Sequence, residues 1–319
     1  MLEVPMVPSR SVTIVIPTCE RAELLRRTAA GALAQSDVDV ELVIVNDGRR
    51  PLPGDLLEAA SARVRVLDLV EHRGVAWARN AGIEVAEGEW IALLDDDDLW
   101  APDKLARQLL ACESRGAAWS YVAGVYVDER LVPFQALPAP DPEGLLERLY
   151  RHQVIPGACS NLLVRASALR ELGGFDAALH QLADWDLCLR LAESSAAARV
   201  QEVLLAYVQH RASMLITEPA PIFREYDRFL AKHRAGARRR GCRLDPESFA
   251  FWTVDRLERA GRRRRALSES LWAGVRYRET SLLANAARIA LAGSARHAAD
   301  DAPQPAPQWL SRYPGVLVG

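Results

Sequence analysis

The sequence predicts an α/β fold: a mostly parallel central sheet with flanking helices, followed by a C-terminal helical region. Short β-branched runs alternate with segments whose apolar residues have helical spacing. This alternation is typical of a mostly parallel sheet covered by helices on both faces. At 319 residues, half of them apolar, the chain is long enough for one large core, or for a catalytic domain with a smaller appendage.

The first hundred residues contain four strand candidates in this alternation. They are residues 11–17, 39–48, 62–70 and 90–94. Residues 21–35 and 74–86 have apolar side chains at helical spacing and are predicted to be helices. Pro17 and the Asn-Asp-Gly turn at 46–48 indicate where the first two strands end.

Three of these strand candidates are followed by polar side chains. Thr18 follows the first, Asp47 lies at the turn after the second, and Asp95–Asp98 follow the fourth. Ligands of open α/β sheets bind outside the carboxyl ends of the strands. We therefore expect these side chains to converge on one crevice.

The run of four aspartates has a cost that needs an offset. Neighbouring carboxylates repel by up to about 4 kcal/mol per close pair at a protein surface. Hard oxygen ligands without a His/Cys cluster suit Mg²⁺ or Mn²⁺, which bind one or two carboxylates together with water and phosphate oxygens. The alternative is an acidic turn that caps the next helix, where Pro102 and Asp103 already provide starting signals.

A second acidic motif occurs in the other half of the chain. Residues 183–192 have helical spacing and place Asp184 in the first turn of a helix, where its role is either an N-cap or a catalytic carboxylate. Asp186 is the second candidate for the catalytic role. Trp100 and Trp185 flank the two aspartate motifs, and tryptophan in such positions is more often packed than stacked on a ligand.

Six segments of the chain resemble the family 2 glycosyltransferases in their order and spacing, from about residue 11 to residue 213. They are VTIVIPTCERAELL, ELVIVNDG, RGVAWARNAG, EWIALLDDDDLWAPDKL, NLLVRASALRELGGFD and ADWDLCLRLA. The resemblance implies the GT-A fold and an inverting sugar transfer. It also implies a nucleotide-diphospho-sugar donor, Mn²⁺ or Mg²⁺ on the diphosphate, and an aspartate that deprotonates a hydroxyl acceptor.

The resemblance implies a set of site residues. The nucleotide-sugar would be bound by Pro17, Thr18, Glu20, Asp47, Arg73, Asp95 and Asp96. The metal would be held by Asp97 and His210, and Asp184 would be the catalytic base. Without the resemblance, Thr18 would be a strand-end cap, Asp47 a turn residue and His210 a surface histidine.

The chain departs from the family pattern at two positions. Asn46 stands where the family more often has a second aspartate, and Ala183 stands where a glutamate usually precedes the base. Arg79 and Asn80 match the family, and we interpret them mainly as structural, with Arg79 also able to reach a phosphate.

These patterns divide the chain into four parts. We predict an extension at 1–10, a GT-A domain at 11–216, a helical region at 217–300 and a proline-rich, loosely ordered tail at 301–319. The GT-A domain would have a nucleotide-sugar half at 11–100 and an acceptor half at 101–216.

The helical region carries two arginine runs. Its helices are predicted at 244–261, 267–277 and 281–291, with the arginine runs at 237–243 and 261–266. Such runs are often simply solvated, but they also attract anionic lipids at about 1 kcal/mol per residue. A peripheral contact with the inner face of the membrane is therefore one expectation.

Composition narrows the class of protein. The five cysteines are scattered, so neither a zinc site nor a disulfide framework is indicated, and a reducing cytoplasm fits. We expect a chain that is neither exported nor membrane-spanning. The phosphate-binding GxxxxGK[ST] motif and the hydrolase motifs GxSxG and HExxH are missing, and nothing accompanies the arginines to indicate nucleic-acid binding.

The donor nucleotide is expected to be UDP, with a saccharide, a lipid-linked sugar or a natural product as acceptor. Two rival interpretations stay open. One is a non-catalytic scaffold that kept the fold, which Asn46 and Ala183 motivate. The other is a sugar-phosphate nucleotidylyltransferase, although its glycine-rich entry loop is absent.

Overall fold

The structure is a computed structural model that describes residues 10–54, 63–209, 222–259, 261–291 and 304–313. The chain forms two compact units. The first comprises residues 1–143, 155–209 and 303–319, and the second comprises residues 144–154 and 210–302. The predicted domain boundaries at residues 216 and 300 stay predictions.

The described strands and helices follow the predicted alternation. The strands are β1 Ser11–Thr18, β2 Asp39–Asn46, β3 Val64–Asp68, β4 Trp90–Leu93, β5 Leu99–Trp100, β6 Trp119–Val127, β7 Pro133–Leu137, β8 Leu163–Arg165 and β9 Ala197–Val208. The helices are α1 Ala22–Leu33, α2 Val75–Val85, α3 Lys104–Arg115, α4 Leu145–Arg151, α5 Ala166–Glu171, α6 Ala183–Ser194, α7 Ile222–Arg239, α8 Pro246–Arg259, α9 Arg263–Tyr277 and α10 Thr280–Leu291.

The described part of the first unit contains one sheet of nine strands. Its order is β3-β2-β1-β4-β8-β6-β9-β5, with β7 paired to β6. The β3-β2-β1-β4 half is parallel, so these strands end at the same edge. The other half is mixed, because β8 runs antiparallel to β4 and β6 whereas β6 and β9 are parallel. The predicted α/β fold class is confirmed.

The core explains why these segments became strands and helices. Val12 and Ile14 on one face of β1 and Val15 on the other are at most 1% exposed, as expected for a central strand that is covered on both faces. Leu25, Ala29 and Ala32 place the apolar side of α1 against the same core cluster. Helix α3 ends at Gly116, whose φ of +60° is the left-handed geometry that stops a helix.

The proline-rich tail differs from its sequence-based expectation. Residues 304–313 are packed on the first unit and are not loosely ordered. Trp309 donates a 2.8 Å hydrogen bond from Nε1 to the carbonyl of Val203, and the Tyr313 hydroxyl donates a 2.7 Å bond to the carbonyl of Trp100. Leu310 is buried. Two aromatic side chains and one leucine bury enough surface to order a segment whose composition alone suggested a loose tail.

The second unit is helical, with an aromatic core. Tyr226 of α7 stacks on Phe249 of α8 with ring centroids 3.9 Å apart. Phe223 contacts both Phe249 and Trp272 of α9. In the described part of the chain, no helix is long and apolar enough to cross a membrane.

Candidate functional site

The polar residues that follow the parallel strands meet at one edge of the sheet, as predicted. Thr18, the last residue of β1, donates a 2.7 Å hydrogen bond from its hydroxyl to Oδ2 of Asp96, which follows β4. The amide of Asp47 donates a 2.9 Å bond to the carbonyl of Thr18. The parallel register of β1 with β2 and β4 produces this convergence.

The four aspartates after β4 divide into a buried pair and an open pair. Asp96 and Asp98 are 1% exposed, whereas the side chains of Asp95 and Asp97 are 27% and 16% exposed. Asp98 accepts a 3.0 Å hydrogen bond from the amide of Val208 in β9, so it has a structural contact. Asp95 and Asp97 are therefore the carboxylates that face the crevice.

Two arginines neutralise part of this acidic edge. Arg21, just before α1, donates a 2.8 Å hydrogen bond to Asp97 and lies 3.1 Å from Asp96. Arg79 of α2 is bonded to Asp95. From the sequence, a metal ion was predicted to reduce the repulsion among these carboxylates. In the structure, guanidinium groups supply part of that reduction.

Burial changes the protonation of the inner pair. Desolvation, with the neighbouring charge of Asp97, raises the pKa of Asp96 to about 7, although Arg21 and Thr18 act in the opposite direction. Burial also raises the pKa of Asp98 well above its usual range. Both carboxyl groups therefore take up a proton far more readily than an exposed aspartate.

Asp184 lies in the first turn of α6, as predicted, but it is not the N-cap, which is Leu182. Its Oδ1 accepts a 2.6 Å hydrogen bond from the amide of Trp185. Desolvation raises the pKa of Asp184 to about 6, against the lowering effect of Arg79. A carboxylate with this pKa is mostly ionised at neutral pH and is also a stronger base than an exposed aspartate.

Arg79 connects the acidic edge with Asp184. Its guanidinium is bonded to Asp95, acts electrostatically on Asp184 and lies 5.2 Å from the ring centre of Phe175. Burial disfavours the charge of Arg79, but Asp95 and the other nearby acidic groups raise its pKa above the ordinary arginine value. Arg79 is therefore a buried cation that is bonded to Asp95 and acts electrostatically on Asp184. We had interpreted it mainly as structural, and its charge gives it a further role in the site.

Asp186, the second candidate for the catalytic base, is placed elsewhere. Its side chain is fully buried, and Oδ2 accepts a 2.8 Å hydrogen bond from Nε of Arg190 one turn later. Arg190 also donates to the carbonyls of Leu172 and Gly174. Asp186 thus orients an arginine that holds the turn before α6.

Asp47 organises the loop before α2. Its carboxylate accepts backbone hydrogen bonds from Arg73 at 2.9 Å and Gly74 at 2.8 Å, and it is 3% exposed. The Arg73 side chain lies 4.4 Å from the ring centre of Trp77 and does not reach Asp47. Arg73 and Asp47 were both predicted to contact the nucleotide. In the structure, Arg73 binds Asp47 through its backbone amide and not through its side chain.

The remaining predicted donor residues differ in their exposure. Pro17 is buried within β1 opposite Val45, whereas Glu20 is exposed and accepts a 2.9 Å hydrogen bond from the amide of Arg49. Glu20 has φ of +59°, an uncommon conformation for a residue other than glycine. His210, the second predicted metal ligand, lies outside the described residues.

The substitution at Asn46 has a local explanation. Its side-chain amide donates 2.8 Å hydrogen bonds to Oδ1 of Asp68 and to the carbonyl of Arg50. An aspartate at this position would place a second carboxylate against Asp68. The asparagine therefore suits the end of β3 in this chain. Ala183 is buried as the first residue of α6.

Several residues that shape the site were missed by the sequence analysis. Ser160 accepts a 3.1 Å hydrogen bond from the amide of Asp95 through its hydroxyl. Asn161 bonds both backbone groups of Val122 through its side chain and thereby fixes this turn to β6. Arg21 stood within a quoted motif, but no spacing rule indicated that its side chain turns toward Asp97.

The tryptophans beside the two aspartate motifs are packed in the protein interior, which the sequence analysis gave as the more common role. Trp100 is 1% exposed and Trp185 is 2% exposed. Trp100 donates a 2.7 Å hydrogen bond from Nε1 to the carbonyl of Ser160. Neither indole is open to a sugar ring.

The carboxylates of the acidic edge are the groups in the described site that could hold a metal ion. Among the described residues, no group of three or more His, Cys, Asp or Glu side chains is arranged to hold a metal ion. Mg²⁺ and Mn²⁺ need only one or two carboxylates when phosphate and water complete their shell. Asp95 and Asp97, two residues apart and both partly open, match this smaller requirement, so the residues fit a metal shared with a diphosphate.

The fold and the acidic strand-end edge define a domain of the GT-A class. A structure of S. aureus TarS 1–349 in complex with UDP-GlcNAc has a TM-score of 0.57 to this chain at 14% identity, covering 68% of this chain and 64% of that one. A second crystal structure of S. aureus TarS 1–349 has a TM-score of 0.54 and covers 87% of this chain and 89% of that one. At this identity the likeness shows the fold alone.

Sequence comparison gives the family. The profile of glycosyl transferase family 2 matches residues 13–173, about half of the chain. The chain belongs to glycosyl transferase family 2.

Named relatives extend the match over different lengths. ExoO of Rhizobium meliloti, a succinoglycan biosynthesis protein, is 42% identical over 99 residues, 31% of this chain and 28% of ExoO. The pre-mycofactocin glycosyltransferase of Mycobacterium tuberculosis is 31% identical over 220 residues, 66% of this chain and 45% of that protein. The uncharacterized glycosyltransferase YwdF of Bacillus subtilis is 28% identical over 276 residues, which are 82% of this chain and 96% of YwdF. The chain thus spans less than half the length of the first two relatives.

Proposed function

We propose that this chain is an inverting glycosyltransferase that moves a sugar from a nucleotide-diphospho-sugar, with UDP as the first choice of nucleotide, to a hydroxyl acceptor. The observation that carries the proposal is the position of Arg79, which is bonded to Asp95 and also acts electrostatically on Asp184. The acidic edge after β4 and the carboxylate of Asp184 therefore interact with the same buried cation. In the proposed arrangement, the acidic edge holds the donor diphosphate and Asp184 is the base on the opposite side of the transferred sugar.

Asp184 has the general-base role in this proposal. Displacement at the anomeric carbon requires removal of the acceptor proton on the face opposite the leaving diphosphate. Its pKa of about 6 leaves Asp184 ionised at neutral pH and able to accept that proton. General-base catalysis of this kind contributes a factor of about 10²–10⁴. A single base with in-line attack inverts the anomeric configuration.

The donor would be held at the strand ends. We expect Thr18 and Asp47 on the nucleoside side and Asp95 nearer the ribose. Asp96 was also predicted there, but it is buried and bonded to Thr18, so its role would be to position Thr18. Arg21 and Arg79 bring positive charge to this edge and favour the developing charge of the leaving group. Mn²⁺ or Mg²⁺, when bound at Asp97, supplies Lewis-acid stabilisation of the diphosphate. TarS crystallised with UDP-GlcNAc and with UDP supports UDP as the nucleotide to test first.

The acceptor class is proposed from the relatives. ExoO is named for succinoglycan biosynthesis, and TuaG, a relative from Bacillus subtilis, is named as a putative teichuronic acid biosynthesis glycosyltransferase. A third relative is named for pre-mycofactocin. We accordingly propose a saccharide, a lipid-linked sugar or a glycosylated natural product as acceptor. The free thiols of all five cysteines are consistent with the cytoplasmic location that the proposal assumes.

The first experiment identifies the donor. Nucleoside diphosphates are compared in a thermal-shift panel with and without Mn²⁺, and the matching nucleotide-sugars are then tested for hydrolysis. We expect UDP to raise the melting temperature most, and one UDP-sugar to be hydrolysed slowly without acceptor. If no nucleotide binds and no donor is hydrolysed, the proposal is wrong.

The alternative is a scaffold protein that kept the fold without catalysis. Ala183 favours it, because the family's usual carboxylate before the base is replaced by a buried methyl group. A scaffold would bind nucleotide and release no sugar. Donor hydrolysis in the same assay therefore separates the two functions.

A peripheral membrane contact is a second part of the proposal. The second unit exposes apolar side chains that normally lie inside a protein, among them Trp252 of α8 and Leu271, Trp272 and Val275 of α9. The guanidinium of Arg256 lies 5.2 Å from the ring centre of Trp252. Tryptophan and arginine together are typical of helices that lie in the interface of an anionic bilayer.

Flotation of the full chain with vesicles tests this contact. We expect binding to vesicles that contain anionic lipid, and its loss when Trp252 and the 72% exposed Val275 are both replaced by serine. Trp77 of the first unit is also exposed, so Trp77→Ser serves as the control. Flotation that ignores anionic lipid content would remove this part of the proposal.

A further inference from the structure

A cavity of about 460 Å³ lies between α1 and the C-terminal segment 304–313. Its volume falls within the range of small-molecule sites. Ala30, Ala34, Pro102 and Tyr313 provide an apolar wall. None of the predicted donor-site residues is among the residues that line the cavity, so this feature is separate from the donor site.

The lip of the cavity is held in place by specific contacts. The Tyr313 hydroxyl donates to the carbonyl of Trp100 at 2.7 Å. Tyr313 also lies so close to α1 that a Cβ added at Gly31 would be 2.1 Å from its hydroxyl oxygen. Only glycine at position 31 allows this approach. The cavity is therefore built by a glycine on one wall and a tyrosine on the other.

The charge of the cavity is positive. Arg26, Arg27 and Arg312 line it, against a single carboxylate from Glu23. Nε of Arg26 lies 3.5 Å from Oε1 of Glu23, so that carboxylate is already paired. The remaining two guanidinium groups give the cavity a net attraction for an anion.

Arg27 is the group that most needs a ligand. It is 8% exposed, and its Nε and Nη1 have no hydrogen-bond partner among the residues that the structure describes. Asp97 and Asp98 attract it only through space, while burial lowers the pKa of its guanidinium. A buried charged donor without an acceptor is strongly unfavourable. An anion in the cavity would give the Arg27 guanidinium, which lines it, a counter-charge that the described residues supply only through space.

We propose that the cavity is a binding site for a phosphomonoester that carries a small apolar group, with Arg27 and Arg312 on the phosphate. Guanidinium forks match the geometry of phosphate oxygens, and several arginines against one carboxylate favour a dianion. The apolar wall accommodates the organic part. Two sources share this chemistry, a soluble organic phosphate and the phosphate of a lipid. The site does not depend on the proposed sugar transfer.

Calorimetry on the full chain tests the proposal with butyl phosphate as the probe. We expect saturable binding that UDP does not compete with. Arg27→Gln and Arg312→Gln are each expected to weaken it by about tenfold or more. Ala30→Phe is expected to abolish it by filling the cavity with all three arginines in place. Arg107→Gln is the matched control, because Arg107 pairs with Asp103 and Glu202 outside the cavity, and it should change nothing.

The two sources of phosphate are separated by vesicles that contain phosphatidic acid. Flotation that Arg312→Gln weakens assigns a lipid phosphate. Butyl phosphate binding with flotation that is absent, or unchanged in Arg312→Gln, assigns a soluble ligand. Arg312 is exposed, so its substitution keeps the test valid if Arg27→Gln fails to fold. The proposal is overturned if butyl phosphate does not bind, if UDP displaces it, or if Arg312→Gln and Ala30→Phe bind it as the wild type does.

Discussion

Replacing Asp184 by asparagine removes the proposed base and keeps the shape of the side chain. The asparagine oxygen still accepts the Trp185 amide that Asp184 accepts at 2.6 Å, so α6 keeps its first turn. The protein should therefore fold and bind donor as before. What it loses is the group that takes the acceptor proton.

The size of the effect follows from the role and from the pKa. Loss of a general base is expected to lower kcat by about 10²–10⁴. With the pKa of Asp184 at about 6, the wild-type base is mostly ionised at pH 7 and mostly protonated at pH 5. Because only the ionised form accepts a proton, wild-type kcat should rise about tenfold from pH 5 to pH 7.

The assay is release of nucleoside diphosphate with saturating donor and acceptor, measured across that pH range. Donor affinity from calorimetry should stay within threefold of the wild type in Asp184→Asn. Asp176→Asn is the matched control, because Asp176 lies in the turn before α6, where its carboxylate accepts a 3.0 Å hydrogen bond from the amide of Ala178. If Asp184→Asn keeps its turnover and its acidic limb, Asp184 is not the base.

Three further predictions concern the acidic edge and the C-terminal segment. Asp97→Ala should weaken Mn²⁺-assisted UDP binding at least about tenfold and leave binding in EDTA unchanged, as calorimetry would measure; equal losses in both would contradict the metal role. Folded Asp96 has a pKa of about 7, above its unfolded value, so urea unfolding of metal-free protein should cost about 1 kcal/mol more at pH 6 than at pH 8, and Asp96→Asn should flatten that difference. Gly31→Ala should lower stability by about 1–3 kcal/mol in thermal melts, and Tyr313→Ala in the same chain should recover part of it, since the added Cβ would lie 2.1 Å from the tyrosine oxygen.

The convergence of Thr18 and the aspartates was predictable because it needs only topology. Alternating strands and helices indicate parallel strands, and parallel strands place their carboxyl ends together. Asp184 at the first turn of α6 followed in the same way from helical spacing. Periodicity determines which edge or which turn a residue occupies, and for these residues that was sufficient.

Other features depend on contacts between segments that periodicity does not link. Arg21 and Arg79 turn toward aspartates that are 76 and 16 residues away in sequence. The alternation of buried Asp96 with open Asp97 depends on which side of the loop faces Thr18 and β9. The packing of Tyr313 on Trp100 joins residues 213 positions apart. None of these distances has a sequence signal, so only the structure gives them.

The transfer of a sugar with inversion at Asp184 is the central claim, and the anomeric configuration of the first product tests it most directly. Proton NMR would follow the sugar released or transferred from an α-linked UDP-sugar in the presence of Mn²⁺. We predict that the β-anomer forms first and that Asp184→Asn forms it far more slowly. An α-configured first product, or no product from any nucleotide-sugar, would contradict the claim.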